Sequence, residues 1–237
     1  MITTTNQQPI LRIIHSPLMP NPSKVRSLPF TWDETKTIVE TNKLELFARS
    51  EEQTEKYAKF KAELKRNHTT IFKHLLIAEL NWYDKALNNG IDKSDINLLD
   101  DAVIKFQPKS KHLFTEASDL KILPNHFPYY FQEGISHLCV WSKLVIENDP
   151  DSQKGDISKA TRNLICKYVE KTFIEGLGID RENVVWFRNW GALQSVKGIS
   201  HIHVLVKGFT SEQLNKVLYT PGAPLTEAEY EEVHNEK

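Results

Sequence analysis

Two histidines one residue apart, His201 and His203, stand in the run His201-Ile202-His203-Val204-Leu205-Val206. Side chains of an extended strand alternate between its faces. His201, His203 and Leu205 therefore share one face, and Ile202, Val204 and Val206 share the other. The second face is wholly apolar and belongs in a core. The first carries two imidazoles about 7 Å apart along the strand. Ahead of it lies Asn189-Trp190-Gly191-Ala192-Leu193-Gln194-Ser195-Val196, a Gly- and Ser-bearing loop that can turn backbone N–H groups toward an anion. One chemistry for this set is attack of an imidazole on phosphorus, with neighbouring donors holding the phosphate oxygens. Another is metal binding, His-x-His giving two ligands and His137 or His126 a third. A third reading makes both histidines hydrogen-bonded structural residues on a half-buried strand.

Caps and periodicity locate the elements that position these residues. Thr31-Trp32-Asp33-Glu34 has the capping-box pattern, so a helix follows, with Ile38, Val39, Leu44 and Phe47 for its apolar side. Ser50-Glu51-Glu52 opens a second helix with acids in its first turn. Tyr57, Phe60 and Leu64 continue it, and Ile71, Leu75, Ala78 and Leu80 extend it or form another. Asn88-Asn89-Gly90 ends the helical region. Beyond residue 100, residues 102–106 read as a strand, residues 120–123 precede Pro124, and residues 135–141 read as a strand. Asp156 or Ser158 caps a helix carrying Leu164, Ile165, Tyr168, Val169 and Phe173. Strands over 184–187 and 199–206 follow, then a short helix capped by Thr210 or Ser211. Helices followed by two β-rich pairs around a helix predict an α+β fold rather than a doubly wound sheet.

The 237 residues suit one elaborated domain. The expected division is a proline-rich arm over 1–30 that can pack through Ile10, Leu11, Ile13 and Ile14, and one α+β domain over 31–220. That domain comprises a helical extension over 31–100 and a core over 101–220, and a loosely held acidic tail follows over 221–237. Lys plus Arg number 30 and Asp plus Glu 31, which argues against a protein that grips nucleic acid through net charge. No apolar run approaches the roughly 18 residues of a spanning helix, and residues 1–9 lack a signal-peptide core, so a cytoplasmic location is expected. Cys139 and Cys166 show no CxxC spacing and read as buried, reduced thiols. There is no P-loop, no GxGxxG after a strand and no GxSxG, so no cofactor is expected and the leading reading is metal-free. The basic run at Lys56, Lys59, Lys61, Lys65 and Arg66 reads as a solvated helix face.

Asn189, Gly191, Gln194 and Val196, followed by His201 and His203, resemble the signature of the histidine-triad superfamily of nucleotide hydrolases and transferases. Phe127-Pro128-Tyr129 and Gly134-x-x-His137, running into Leu138-Cys139-Val140, look like that fold's first hairpin. The resemblance covers roughly residues 110–207. It implies His203 as nucleophile, His201 as its support, Gln194 and Ser195 near a phosphate, and Asn189 and Gly191 shaping the loop. His137 and Trp190 join as ligand contacts, Trp190 as a stacking ring. Leu205 stands where the third histidine would be, and three extra residues precede His201. Loss of general acid–base assistance is typically worth about 10²–10⁴-fold, which leaves a non-catalytic regulator as the rival. A wider set resembles the fungal N-acetylglucosamine-induced protein family. It comprises Pro29-Phe30-Thr31-Trp32, then Leu46, Arg49 and Ser50, then Phe127-Pro128-Tyr129 with Gly134-x-x-His137, then Trp141-Ser142, and Trp186-Phe187-x-Asn189 with the histidine strand. That resemblance implies a role in amino-sugar metabolism, and the triad-like site implies a small phosphorylated partner, a nucleotide, nucleotide-sugar or sugar phosphate. With no spanning segment, no membrane partner is expected, and the oligomeric state is left open.

Overall fold

The computed structural model describes residues 25–235, so the expected packing of Ile10, Leu11, Ile13 and Ile14 lies outside the described residues. Helix α1 (Trp32–Glu40) begins where Thr31 accepts from the Glu34 N–H while the Glu34 side chain accepts from the Thr31 N–H, a complete capping box. Helix α2 (Glu51–Arg66) is capped by Ser50 and buries only Leu64, so its basic run faces solvent. Helix α3 (Ile71–His74) is capped by Thr70 and runs into a π-helical turn, Leu75–Glu79. Four strands follow, β1 (Leu120–Pro124), β2 (Ile135–Ser142), β3 (Val184–Phe187) and β4 (Ser200–Lys207). They form one antiparallel sheet in the order β1-β2-β4-β3. Between β2 and β3 runs α4 (Lys159–Val169), capped by Ser158. Helices α5 (Ser211–Val217) and α6 (Glu227–Asn235) close the chain. The fold is α+β, and among the described residues no helix is long and apolar enough to cross a membrane.

The two faces of the sheet are covered differently. Ile202, Val204 and Val206 share one core cluster with Leu164, Ile165 and Tyr168 of α4. The histidine face is covered by the N-terminal half of the chain, in two separate clusters. One joins Leu75, Leu76 and Leu80 to Cys139, Trp141 and Val196. The other joins Phe30, Trp32 and Phe47 to Phe187, Trp190 and Leu205.

Three expectations need correction. Residues 102–106 form no strand: a 3-10 turn spans Asp101–Val103. The Asn88 side chain supplies what a neighbouring strand would, its Oδ1 accepting from the Lys105 N–H and its Nδ2 donating to the Lys105 carbonyl, each at 2.8 Å. The segment after Pro221 is not loose, because Leu225 enters the core cluster and Lys171, in the π-helical turn Glu170–Glu175 that follows α4, pairs with Glu229 of α6. Cys166 is exposed on α4, whereas Cys139 is buried as expected.

Candidate functional site

The register of β2 against β4 builds the site. Cys139 lies opposite His203, Trp141 opposite His201, and His137 opposite Leu205. Because Leu205 offers no polar group, His137 reaches toward its diagonal neighbour. Its Nε2 lies 2.9 Å from Nδ1 of His203, and Cys139 Sγ lies 3.6 Å from the same nitrogen. The other nitrogen of His203, Nε2, lies 3.2 Å from Nδ2 of Asn189. An amide N–H can only donate, so Nε2 accepts and the His203 proton sits on Nδ1, where it is donated to His137. Asn125 Nδ2, 3.1 Å from Nε2 of His137, makes the same nitrogen an acceptor. The result is a buried polar chain from Asn189 through His203 to His137. Phe187 stacks on His203, with centroids 4.8 Å apart at 15°. His201 turns its Nδ1 to the Ile199 carbonyl at 3.1 Å and packs on Trp141 at 4.3 Å.

All three imidazoles are held neutral at physiological pH. Burial pushes His137 down to about 3, helped by the positive charge of Arg49. Burial pushes His201 down to about 4. Burial, then the neighbouring histidines, hold His203 well below its ordinary value. Burial also raises the Cys139 thiol to about 12. These groups can accept protons, attack or ligate, but they bring no positive charge.

A cavity of about 480 Å³ opens in front of this face, between the strand and the helical layer. His201, His203, Cys139, Trp141 and Asn189 line its floor, and Tyr57, Phe60, Leu75 and Phe127 line its far side. Arg49 reaches the same space. Its Nε donates to the Phe127 carbonyl at 2.9 Å, and its guanidinium lies 4.7 Å from the Tyr57 ring and 5.5 Å from the Tyr129 ring. Among the described residues it is held by a carbonyl and two rings rather than by a carboxylate. At the rim, Glu79 lies 3.6 Å from His74 and 3.5 Å from His126. One polar atom on the floor stands out. Among the described residues Oδ1 of Asn189 is buried with no hydrogen-bond partner, and Asn189 is 5% exposed.

Of the residues singled out in the sequence, His201, His203, Asn189 and Ser195 meet on the cavity wall. His137 sits behind His203 as its hydrogen-bond partner. Gln194 does not line the cavity; its Nε2 donates to the Asn189 carbonyl at 2.7 Å, which props the loop. Trp190 is buried among Phe47, Phe187 and Leu205 with Lys154 over its ring, and Trp141 is the tryptophan at the cavity. Gly191 lies near Gly155 and does not line the cavity. Leu205 packs into the aromatic cluster and leaves the space before His203 open.

Sequence reasoning read Cys139 as a plain buried thiol, named Tyr129 only within a motif, and missed Asn125 and the placement of Arg49. The first had a readable signal, since alternation along 135–141 puts His137, Cys139 and Trp141 on one face. Arg49 had none, because a fold alone brings residues 49 and 203 together.

The sequence profile of a family described as "Protein of unknown function (DUF3605)" matches residues 31–207, from the cap of α1 to the end of β4. The chain is 42% identical over 209 residues to N-acetylglucosamine-induced protein 1 of Candida albicans, an alignment that covers 88% of this chain and 80% of that protein. It is 28% identical over 176 residues to the protein YPL067C of Saccharomyces cerevisiae, covering 74% of this chain and 77% of that one. Among solved structures, the crystal structure of HTC1 is similar with a TM-score of 0.56 at 25% identity, covering 79% of this chain and 92% of that one.

Proposed function

The chain belongs to the DUF3605 family, and from that premise we propose that it binds a small phosphorylated ligand in the cavity before His203. The ligand class is a nucleotide, a nucleotide-sugar or a sugar phosphate. The context is N-acetylglucosamine metabolism, suggested by the name of the Candida relative.

One observation carries the reading. The half-buried Arg49 guanidinium faces a cavity whose floor is polar but uncharged. A guanidinium in such a place is matched by an anion, and its fork suits phosphate oxygens. The aromatic wall at Tyr57, Phe60 and Phe127 suits the flat face of a base or sugar. A free acceptor at Asn189 Oδ1 suits a ligand hydroxyl or N–H.

Group transfer, in this proposal, starts at His203. Once the Asn189 amide gives way, the Nε2 lone pair attacks phosphorus and the leaving group departs. His137, accepting from Nδ1–H, stabilises the imidazolium that forms. A regulator that binds without turnover is the second reading. It is favoured by Leu205, which supplies no acid for the leaving group, and by the occupied Nε2.

One experiment separates these. The protein and its His203→Ala variant are incubated with labelled nucleotides, nucleotide-sugars and sugar phosphates, and both binding and product are measured. Turnover lost in the variant establishes transfer through His203. Binding without turnover establishes the regulator. Absence of binding for every phosphorylated compound overturns the proposal.

A further inference from the structure

We propose that His137, Cys139 and His203 form a binding site for one zinc-like divalent ion on the floor of the cavity. This inference goes beyond the phosphorylated-ligand reading and does not depend on it; with the ion bound Nε2 of His203 carries the proton, so transfer through Nε2 belongs to the metal-free protein alone.

The donor set comes from the strand register and not from the spacing of the two histidines on β4. His137 and Cys139 project from one face of β2, and His203 projects beside them from β4. One ligand atom from each lies within 4.8 Å of the other two, and all three residues are buried. Zinc takes histidine nitrogen at about 2.0–2.1 Å and thiolate sulfur at about 2.3 Å, so a tetrahedral edge is about 3.4 Å between nitrogens and about 3.6 Å from nitrogen to sulfur. The Sγ of Cys139 already stands 3.6 Å from Nδ1 of His203. The two nitrogens, 2.9 Å apart, share a proton that the ion would replace, and they then open by about half an ångström. His201 stays outside the set: the ligand atoms that lie within 4.8 Å of one another are those of His137, Cys139 and His203.

The surroundings fit the role. Cys139 and His203 both line the cavity, so a fourth position faces open space, as in zinc sites that act on substrates. Two imidazoles and a thiolate favour zinc or cobalt over magnesium or calcium. The unpartnered Oδ1 of Asn189 gains a partner in this state. An ion on Nδ1 of His203 moves that ring's proton to Nε2, 3.2 Å from the Asn189 amide. Half a turn of the amide brings Oδ1 to accept from Nε2–H, the outer hydrogen bond that orients most ligating histidines, and turns Nδ2, now 3.2 Å from the Tyr129 hydroxyl, into the place that Oδ1 held. The proton count is closed. The Cys139 thiol releases one proton to solvent, and His203 relocates one from Nδ1 to Nε2.

The test uses the full chain, stripped of metal, with cobalt(II) added alone and no phosphorylated compound present. The expected result is a one-to-one complex with a sulfur-to-cobalt charge-transfer band and intense tetrahedral bands, displaced by zinc, with one proton released. Cys139→Val fills the buried site without a ligand and loses the charge-transfer band, while its circular dichroism reports that it is folded. Should Cys139→Val not fold, zinc protection of wild type against thermal unfolding is compared with that of folded His137→Gln, where the protection is lost. Cys166→Ser, which removes the exposed thiol, leaves the cobalt spectrum unchanged. Failure of wild type to bind cobalt one-to-one would overturn the proposal. So would a thiolate band that survives Cys139→Val or vanishes in Cys166→Ser.

Discussion

The two faces of β4 are equally withdrawn from water and are built in opposite ways. Ile202, Val204 and Val206 are fully buried and continue into the side chains of α4 without a break. His201 and His203 are 7% and 6% exposed, yet they look into a cavity of about 480 Å³ between two separate clusters. The first face is filled by shape alone. The second spends buried volume on imidazoles, amides and open space, none of which is the cheapest way to stabilise a sheet. One face is filled as a core is filled, and the other leaves room for the proposed ligand.

Breaking the packed face should cost the most. Ile202→Ala removes a fully buried side chain and should destabilise the protein by about 2–5 kcal/mol in denaturant titrations, with ligand affinity kept while the chain is folded. A loss below about 1 kcal/mol would show that this face is not the core.

Acid should attack the other face. The buried imidazoles have lowered pKa values, so between those values and 6.5 the unfolded chain holds more protons than the folded one. The stability of the metal-free protein that depends on these neutral rings is complete above pH 6.5. It declines as pH falls toward about 4 for His201 and about 3 for His137. At about 1.4 kcal/mol per unit, the His201 shift alone is worth about 3 kcal/mol. The positive charge of Arg49 and the neighbouring imidazoles work in the same direction. Urea midpoints at pH 7 and pH 4.5 measure this, and equal values would sink the account.

Two smaller effects sharpen the contrast by probing the periphery of each face. Asn88→Ala strips both backbone partners from Lys105 in the layer over the histidines, and should cost about 1–3 kcal/mol by thermal or chemical unfolding. Glu229→Gln weakens the pair that docks α6 on the α4 side, and should cost less than about 1 kcal/mol, more at low salt than at high.

What the sequence announced, it announced through local rules. The capping box at Thr31, the cap at Ser158 and the alternation in 200–207 each follow from a few neighbouring residues. The apolar side of β4 was legible for the same reason, and so was the pairing of His201 with His203 on one face. The register that brings His137 and Cys139, 66 and 64 residues away in sequence, to His203 depends on how two distant strands slide together, which no local pattern sets. Arg49 joins them because the Tyr130 N–H donates to the Ala48 carbonyl at 2.9 Å and the Arg49 side chain itself donates to the Phe127 carbonyl. The strand misread at 102–106 failed on a distant amide, Asn88, standing in for a neighbouring strand.

The central claim is that the histidine face, with Arg49 over it, holds a phosphorylated ligand. Isothermal titration of the wild-type protein and Arg49→Gln with nucleotide-sugars, sugar phosphates and unphosphorylated N-acetylglucosamine tests it most directly. The account predicts saturable binding of at least one phosphorylated compound, weakened about 10–100-fold in Arg49→Gln, the scale of a charged hydrogen bond. It also predicts that N-acetylglucosamine binds more weakly than its phosphorylated forms. Binding that is absent for every phosphorylated compound, or unchanged in Arg49→Gln, would contradict it.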